Sequence, residues 1–112
     1  DLFARGVLGD AAYAKVSCAR KQQMMDNAKA HRASLLGAGL PVFTAADAAA
    51  IKTPTQLLRG SNTPGFQRRI NQRLAALVPG AMDVCVPNAS HLVHEDNPQA
   101  VAEALRTFCK EH

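Results

Sequence analysis

The apolar pattern of this chain predicts an α/β fold, with two parallel strands, crossover and closing helices, and an N-terminal helical segment. Three observations carry that expectation. Residues 51–112 read as strand, helix, strand, helix; residues 1–50 are Ala-rich and show no strand-like alternation; and a tight polar loop, Pro87-Asn88-Ala89-Ser90-His91, follows the second strand directly. Two segments of different character therefore meet near Ile51.

In the first segment, Asp10 to Lys15 and Arg20 to Leu36 are expected helices, with breaks around Gly6, Gly9 and Gly37-Ala38-Gly39. Met24, Met25, Ala28 and Leu35 or Leu36 form a loose apolar stripe at helical spacing, of the kind that packs against a neighbouring domain. Thr44-Ala45-Ala46-Asp47 opens a short helical turn.

The second segment starts with an apolar strand over Thr55 to Arg59, introduced by Pro54 and ended by Gly60. Thr63 is expected to cap a helix whose first residue is Pro64. Phe66, Ile70, Leu74 and Leu77 mark the face this helix should bury, and Arg68, Arg69 and Arg73 fall largely on the other. Pro79-Gly80 ends it. Met82 to Val86, apolar apart from Asp83, reads as an inner parallel strand buried on both faces. Asn97 caps a final helix with Pro98 in its first turn and Val101, Leu105 and Phe108 turned inward. A right-handed crossover brings the carboxyl ends of both strands, at Gly60 and Pro87, side by side. Open α/β sheets place their chemistry on such a rim.

Composition excludes several classes. The 47% hydrophobic content with scattered charges is ordinary globular material, and a net charge of +4 is a mildly cationic surface. With aromatics at 4% and no Trp, a base-stacking platform is not expected, so nucleic acid is not an expected partner. No apolar run reaches membrane-spanning length, and no secretory leader pattern occurs, so no membrane partner is expected. Cys18, Cys85 and Cys109 lack metal spacing and are expected to pack as reduced, small hydrophobes, which favours a cytoplasmic setting. The start at Asp1-Leu2-Phe3 rather than Met suggests truncation or processing.

Chemistry concentrates at His91, on the loop after the second strand. An imidazole so placed suits a general base, provided its other nitrogen is held by a partner, and Ser61-Asn62-Thr63 on the adjacent loop is positioned to supply one. The set His91, His94, Glu95 has ligand-type residues without helical H-E-x-x-H spacing, so no metal is expected. Glu95 and Asp96 are explained by the positive end of the last helix.

Residues Ile51 to His112 resemble the carboxyl-terminal part of an α/β-hydrolase. The resemblance runs through Ile51-Lys52-Thr53-Pro54-Thr55-Gln56-Leu57-Leu58-Arg59-Gly60, Leu74 to Ala81, Val86-Pro87-Asn88-Ala89-Ser90-His91 and His94-Glu95-Asp96-Asn97-Pro98. Residues 1–50 are more loosely similar to the helical lid that such enzymes insert before their last two strands. The resemblance implies a partial α/β-hydrolase fold, an esterase-like activity on a small-molecule substrate, no cofactor, and His91 as the catalytic histidine that activates a nucleophile. The family's G-x-S-x-G elbow does not occur in the chain, and Ser17, Ser34, Ser61 and Ser90 lie in other contexts. Where many members carry the triad acid after the Gly matching Gly60, this chain has Asn62 and Thr63. The implied partners are therefore a hydrolase segment carrying the nucleophile or a second copy of the chain. The alternative is a non-catalytic remnant that acts as an interaction or self-associating domain.

Overall fold

The computed structural model describes residues 2–37, 39 and 41–112. Asp1, and Ala38 within the expected glycine break, lie outside the described residues. The order is α1 (Leu2–Leu8), α2 (Asp10–Lys15), α3 (Cys18–Asp26), α4 (Ala28–Leu36), α5 (Ala45–Ala49), β1 (Gln56–Gly60), α6 (Gly65–Leu77), β2 (Met82–Val86), α7 (Val93–Asp96) and α8 (Pro98–Glu111). The expected α/β class holds, with an all-helical segment ahead of a strand–helix–strand–helix unit.

Strands β1 and β2 pair in parallel, with Gln56 opposite Met82 and Gly60 opposite Val86. Side chains alternate across a strand, so Leu57 and Arg59 share one sheet face with Asp83 and Cys85. On that face Arg59 Nε donates to Asp83 Oδ1 at 3.1 Å. From the other face Gln56 reaches α8, donating to the Ala104 carbonyl at 3.3 Å. Asn71 ties α6 to β1 by donating to the Leu58 carbonyl at 3.3 Å.

Several packing expectations are corrected. β2 is not buried on both faces: Asp83 and Cys85 are exposed, and only Val86 is fully covered. Phe66 and Ile70 on α6 and Leu105 on α8 are 53%, 54% and 48% exposed, so the apolar stripes are only partly used. Leu74, Leu77, Val101 and Phe108 are half-buried. All three cysteines are exposed and unpaired rather than packed inside. The common reason is that two strands make a narrow sheet, and among the described residues nothing lies against the outer part of either helix.

In the first segment α1 was not expected, because Gly6 suggested a break; the helix runs through it and ends at Gly9, whose φ of 82° suits only glycine. The helix expected over Arg20 to Leu36 starts at Cys18 and divides at Asn27. There the side-chain amide donates to the Gln23 carbonyl at 3.0 Å and competes with the helical ladder. Ser17 begins α3 by accepting from the Arg20 amide at 3.2 Å. No helix of the described residues is long and apolar enough to cross a membrane.

At α5 the Thr44 and Asp47 side chains form a reciprocal capping box. The side-chain and backbone hydrogen bonds from Thr44 hold the Asp47 carboxyl below the usual carboxylate range. A depressed carboxyl stabilises the fold above its unfolded value and loses that contribution as pH falls through its folded value. The protection of the Thr44 and Asp47 amides, taken as the ratio of intrinsic to observed exchange rate, should therefore fall as the pH is brought below about 4. In Thr44→Ala this acid dependence should shrink, because the hydroxyl is lost while the backbone amide of residue 44 still donates to Asp47, as hydrogen exchange followed by NMR would show.

Candidate functional site

The best-packed part of the chain is the rim where both strands end. Val86 and Ala89 are 1% and 0% exposed, and Thr63 and Ser90 are the buried polar residues beside them. The backbone of the second loop crosses so close to Gly60 that a Cβ there would collide with the carbonyl oxygens of Ala89 and Ser90. The two loops are stitched together. Ser61 N–H donates to the Val86 carbonyl at 2.9 Å, Asn62 N–H to the Ala89 carbonyl at 2.8 Å, and Asn88 N–H to Ser61 Oγ at 3.0 Å. Asn88 turns the chain with a φ of 56°, a left-handed conformation that asparagine tolerates better than other side chains.

Thr63 differs from its expected role. The helix begins at Gly65 with Pro64 in the capping position, and Thr63 Oγ accepts from the Gly60 amide at 3.1 Å instead. That amide is buried at the end of β1, where an unpaired donor would be costly, so the hydroxyl is turned inward. Asn97 does cap α8 as expected, accepting from the Ala100 amide at 3.1 Å. Its side chain also donates to the Pro87 carbonyl at 3.0 Å, which fixes the loop to the helix.

His91 stands just beyond this rigid loop, exposed, and lines a cleft of about 1130 Å³ between the rim and the N-terminal helices. The expected holding partner is absent: among the described residues no hydrogen bond reaches its ring, and the Ser61 and Asn62 groups bond along the loops instead. The loop beneath it is held by Asp96, whose Oδ2 accepts from the Ser90 amide at 2.7 Å and from Ser90 Oγ at 2.5 Å. Asp96 therefore does more than meet the positive end of α8. It fixes the residue from which the imidazole departs.

Glu95 likewise has a specific partner, receiving Arg20 Nη2 of α3 at 2.8 Å and so tying the N-terminal helices to the rim. His94 is an exposed neighbour of that pair, 3.7 Å from Glu95 Oε1. Arg68, Arg69 and Arg73 are solvent-facing, with Arg68 reaching the Thr63 carbonyl at 3.4 Å. Among the described residues no group of three or more His, Cys, Asp or Glu side chains is arranged to hold a metal. Several residues of the cleft were not singled out from the sequence, Arg20 and Gln67 among them. Neither type is diagnostic by itself, and only the fold brings them to the cleft lined by His91.

No family profile matches the chain. It is 38% identical over 55 residues to the sn-1-specific diacylglycerol lipase ABHD11 of Mus musculus, a match covering 49% of this chain and 18% of the lipase. Its structure superposes on the crystal structure of carboxylesterase CesB (YbfK) from Bacillus subtilis with a TM-score of 0.58 and 29% identity, over 66% of this chain and 27% of the esterase. The chain is related to the α/β-hydrolase superfamily over part of its length. It is a partial α/β fold of that kind, and it spans well under a third of either relative.

Within an α/β-hydrolase-type rim, the Asp96 clamp has a testable role. Asp96→Ala leaves two Ser90 donors unpaired and frees the loop under His91. It should lower the stability of the chain by about 1–3 kcal/mol, the usual cost of leaving donors without an acceptor, as a thermal melt would show. Asp96→Asn, which keeps one acceptor oxygen, should lose less.

Proposed function

We propose that this chain is the C-terminal portion of an esterase-like α/β-hydrolase, with His91 as the general base and residues 1–50 as part of the helical roof over the substrate. The observation that supports this most is the exposed imidazole on a rigid loop at the carboxyl end of a parallel strand, facing a large cleft. The nucleophile and the oxyanion donors come from outside these 112 residues, in which no G-x-S-x-G occurs. His91 takes the proton of that nucleophile as it attacks the ester carbonyl. It then protonates the leaving alcohol and finally activates the water that releases the acid. The triad acid is supplied with the nucleophile, since Asn62 carries no charge.

The test is complementation. The purified chain, alone and fused or mixed with a hydrolase segment bearing a G-x-S-x-G elbow, is assayed with a short activated ester. Activity that appears only in the assembly supports the proposal. A stable assembly that stays inactive contradicts it.

A second reading rests on the exposed apolar side chains and on the open edges of a two-stranded sheet, which recruit other chains. In that reading the chain is a non-catalytic, self-associating domain whose partner is a second copy. Sedimentation would then show an oligomer, and no added segment would produce activity.

A further inference from the structure

We infer that the outer face of α6 docks an acidic amphipathic helix of another protein. Phe66 and Ile70, one turn apart, are 53% and 54% exposed, and Arg69 and Arg73 are exposed with them. At 3.6 residues per turn these four side chains fall within an arc of about 100°, so the two arginines stand beside the apolar pair rather than across the helix from it. They border one side of the pair. Half-buried Leu74 continues its other side toward Asn71, the side chain that bonds to β1.

The charges on this helix suit a partner better than they suit the helix itself. Its 13 residues hold three arginines and no acid. Arg68 donates to the Thr63 carbonyl at 3.4 Å, whereas among the described residues no ion pair or hydrogen bond engages the Arg69 or Arg73 side chain. Arg69 and Arg73 stand four residues apart, a spacing at which like charges destabilise a helix, and Arg68 and Arg69 lie near its positive end. A local cost of this kind marks a surface shaped by something other than stability. Carboxylates along the basic border relieve that cost, and an apolar stripe beside them covers Phe66 and Ile70. A helix with leucines on one stripe and glutamates along one edge brings both. The chain's own helices do not supply it: in those ahead of α8 every described acid has a partner within the chain, and α8 carries Arg106 and Lys110 beside Glu103 and Glu111. A second copy therefore lacks the complementary face.

The inference does not rest on the hydrolase proposal, and its test reads binding alone. The probes are two fluorescein-labelled synthetic helices of the length of α6, with leucines along one stripe and either glutamates or lysines along one edge. Anisotropy with the full chain should show the glutamate helix binding about tenfold tighter, from two exposed ion pairs gained and two repulsions avoided. Raising KCl to about 0.5 M should narrow that preference. Phe66→Ala with Ile70→Ala should weaken the glutamate helix at least about tenfold, because the stripe loses its apolar contact. Arg69→Glu with Arg73→Glu should reverse the preference. All four side chains are exposed, so both double variants should keep the fold, which a thermal melt checks. Equal affinity for the two helices, or binding untouched by either pair of substitutions, overturns the inference. So does a dimer of the chain that Phe66→Ala with Ile70→Ala dissociates, since a second copy would then occupy the face. Phosphatidylglycerol vesicles that bind through the same four residues, with neither helix bound, would assign the face to a membrane and overturn the inference as well.

Discussion

His91→Ala is expected to reduce kcat for ester hydrolysis by the completed assembly about 10³- to 10⁴-fold, while KM changes only a few-fold. A general base contributes roughly 10²- to 10⁴-fold, and its loss also leaves the nucleophile without a route for its proton. In the proposed function the imidazole acts on the reacting atoms and substrate would sit in the cleft built mainly from the N-terminal helices, so the effect should fall on kcat. The variant should fold normally. The ring is exposed and makes no hydrogen bond among the described residues, so its removal should change stability by less than about 0.5 kcal/mol. Steady-state kinetics together with a thermal melt separates the two quantities.

The largest effect on stability is expected at Gly60. A methyl group there meets the carbonyl oxygens of Ala89 and Ser90, and backbone of a buried loop cannot move aside as a flexible side chain would. Gly60→Ala should therefore cost about 3 kcal/mol, the upper range for overpacking a closed site. The strain acts where the loops are most tightly joined. It should break the Ser61–Val86 and Asn62–Ala89 hydrogen bonds and Thr63's acceptance from the Gly60 amide. For a chain of this size the melting temperature should fall by on the order of 10 °C. A control, Gly65→Ala, places its methyl in open space at the start of α6 and should be nearly neutral. Calorimetry on the two variants checks the contrast.

The elements with strong local signals were legible in the sequence. β2 was bounded correctly, β1 to within one residue, and α8 was fixed by Asn97 and Pro98. What the sequence did not convey was packing. Phe66, Ile70 and Leu105 have helical spacing suited to burial, but spacing says nothing of whether a surface exists to receive them. Thr63 reads as a helix cap by its position before Pro64, and only the buried Gly60 amide explains why its hydroxyl turns inward. At the candidate site the placement of His91 on a strand-end loop was legible, since the strand, the turn and the following capped helix are contiguous. The Asp96–Ser90 clamp and the convergence of Arg20 and Gln67 depend on elements distant in the chain, and no local pattern announces them. The break at Asn27 is a further case, where one side chain outcompetes an otherwise helical stretch.

In the proposed function a single exposed imidazole carries the proton for a nucleophile held by another segment. Chemical rescue tests it most directly. Imidazole is added to the assembled, folded His91→Ala variant, and ester hydrolysis is followed as its concentration rises. Activity should return in part and saturate, as free imidazole occupies the space left beside the rim. A variant that binds ester normally yet gains nothing from imidazole, or that hydrolyses it as fast as the unsubstituted chain, would contradict it.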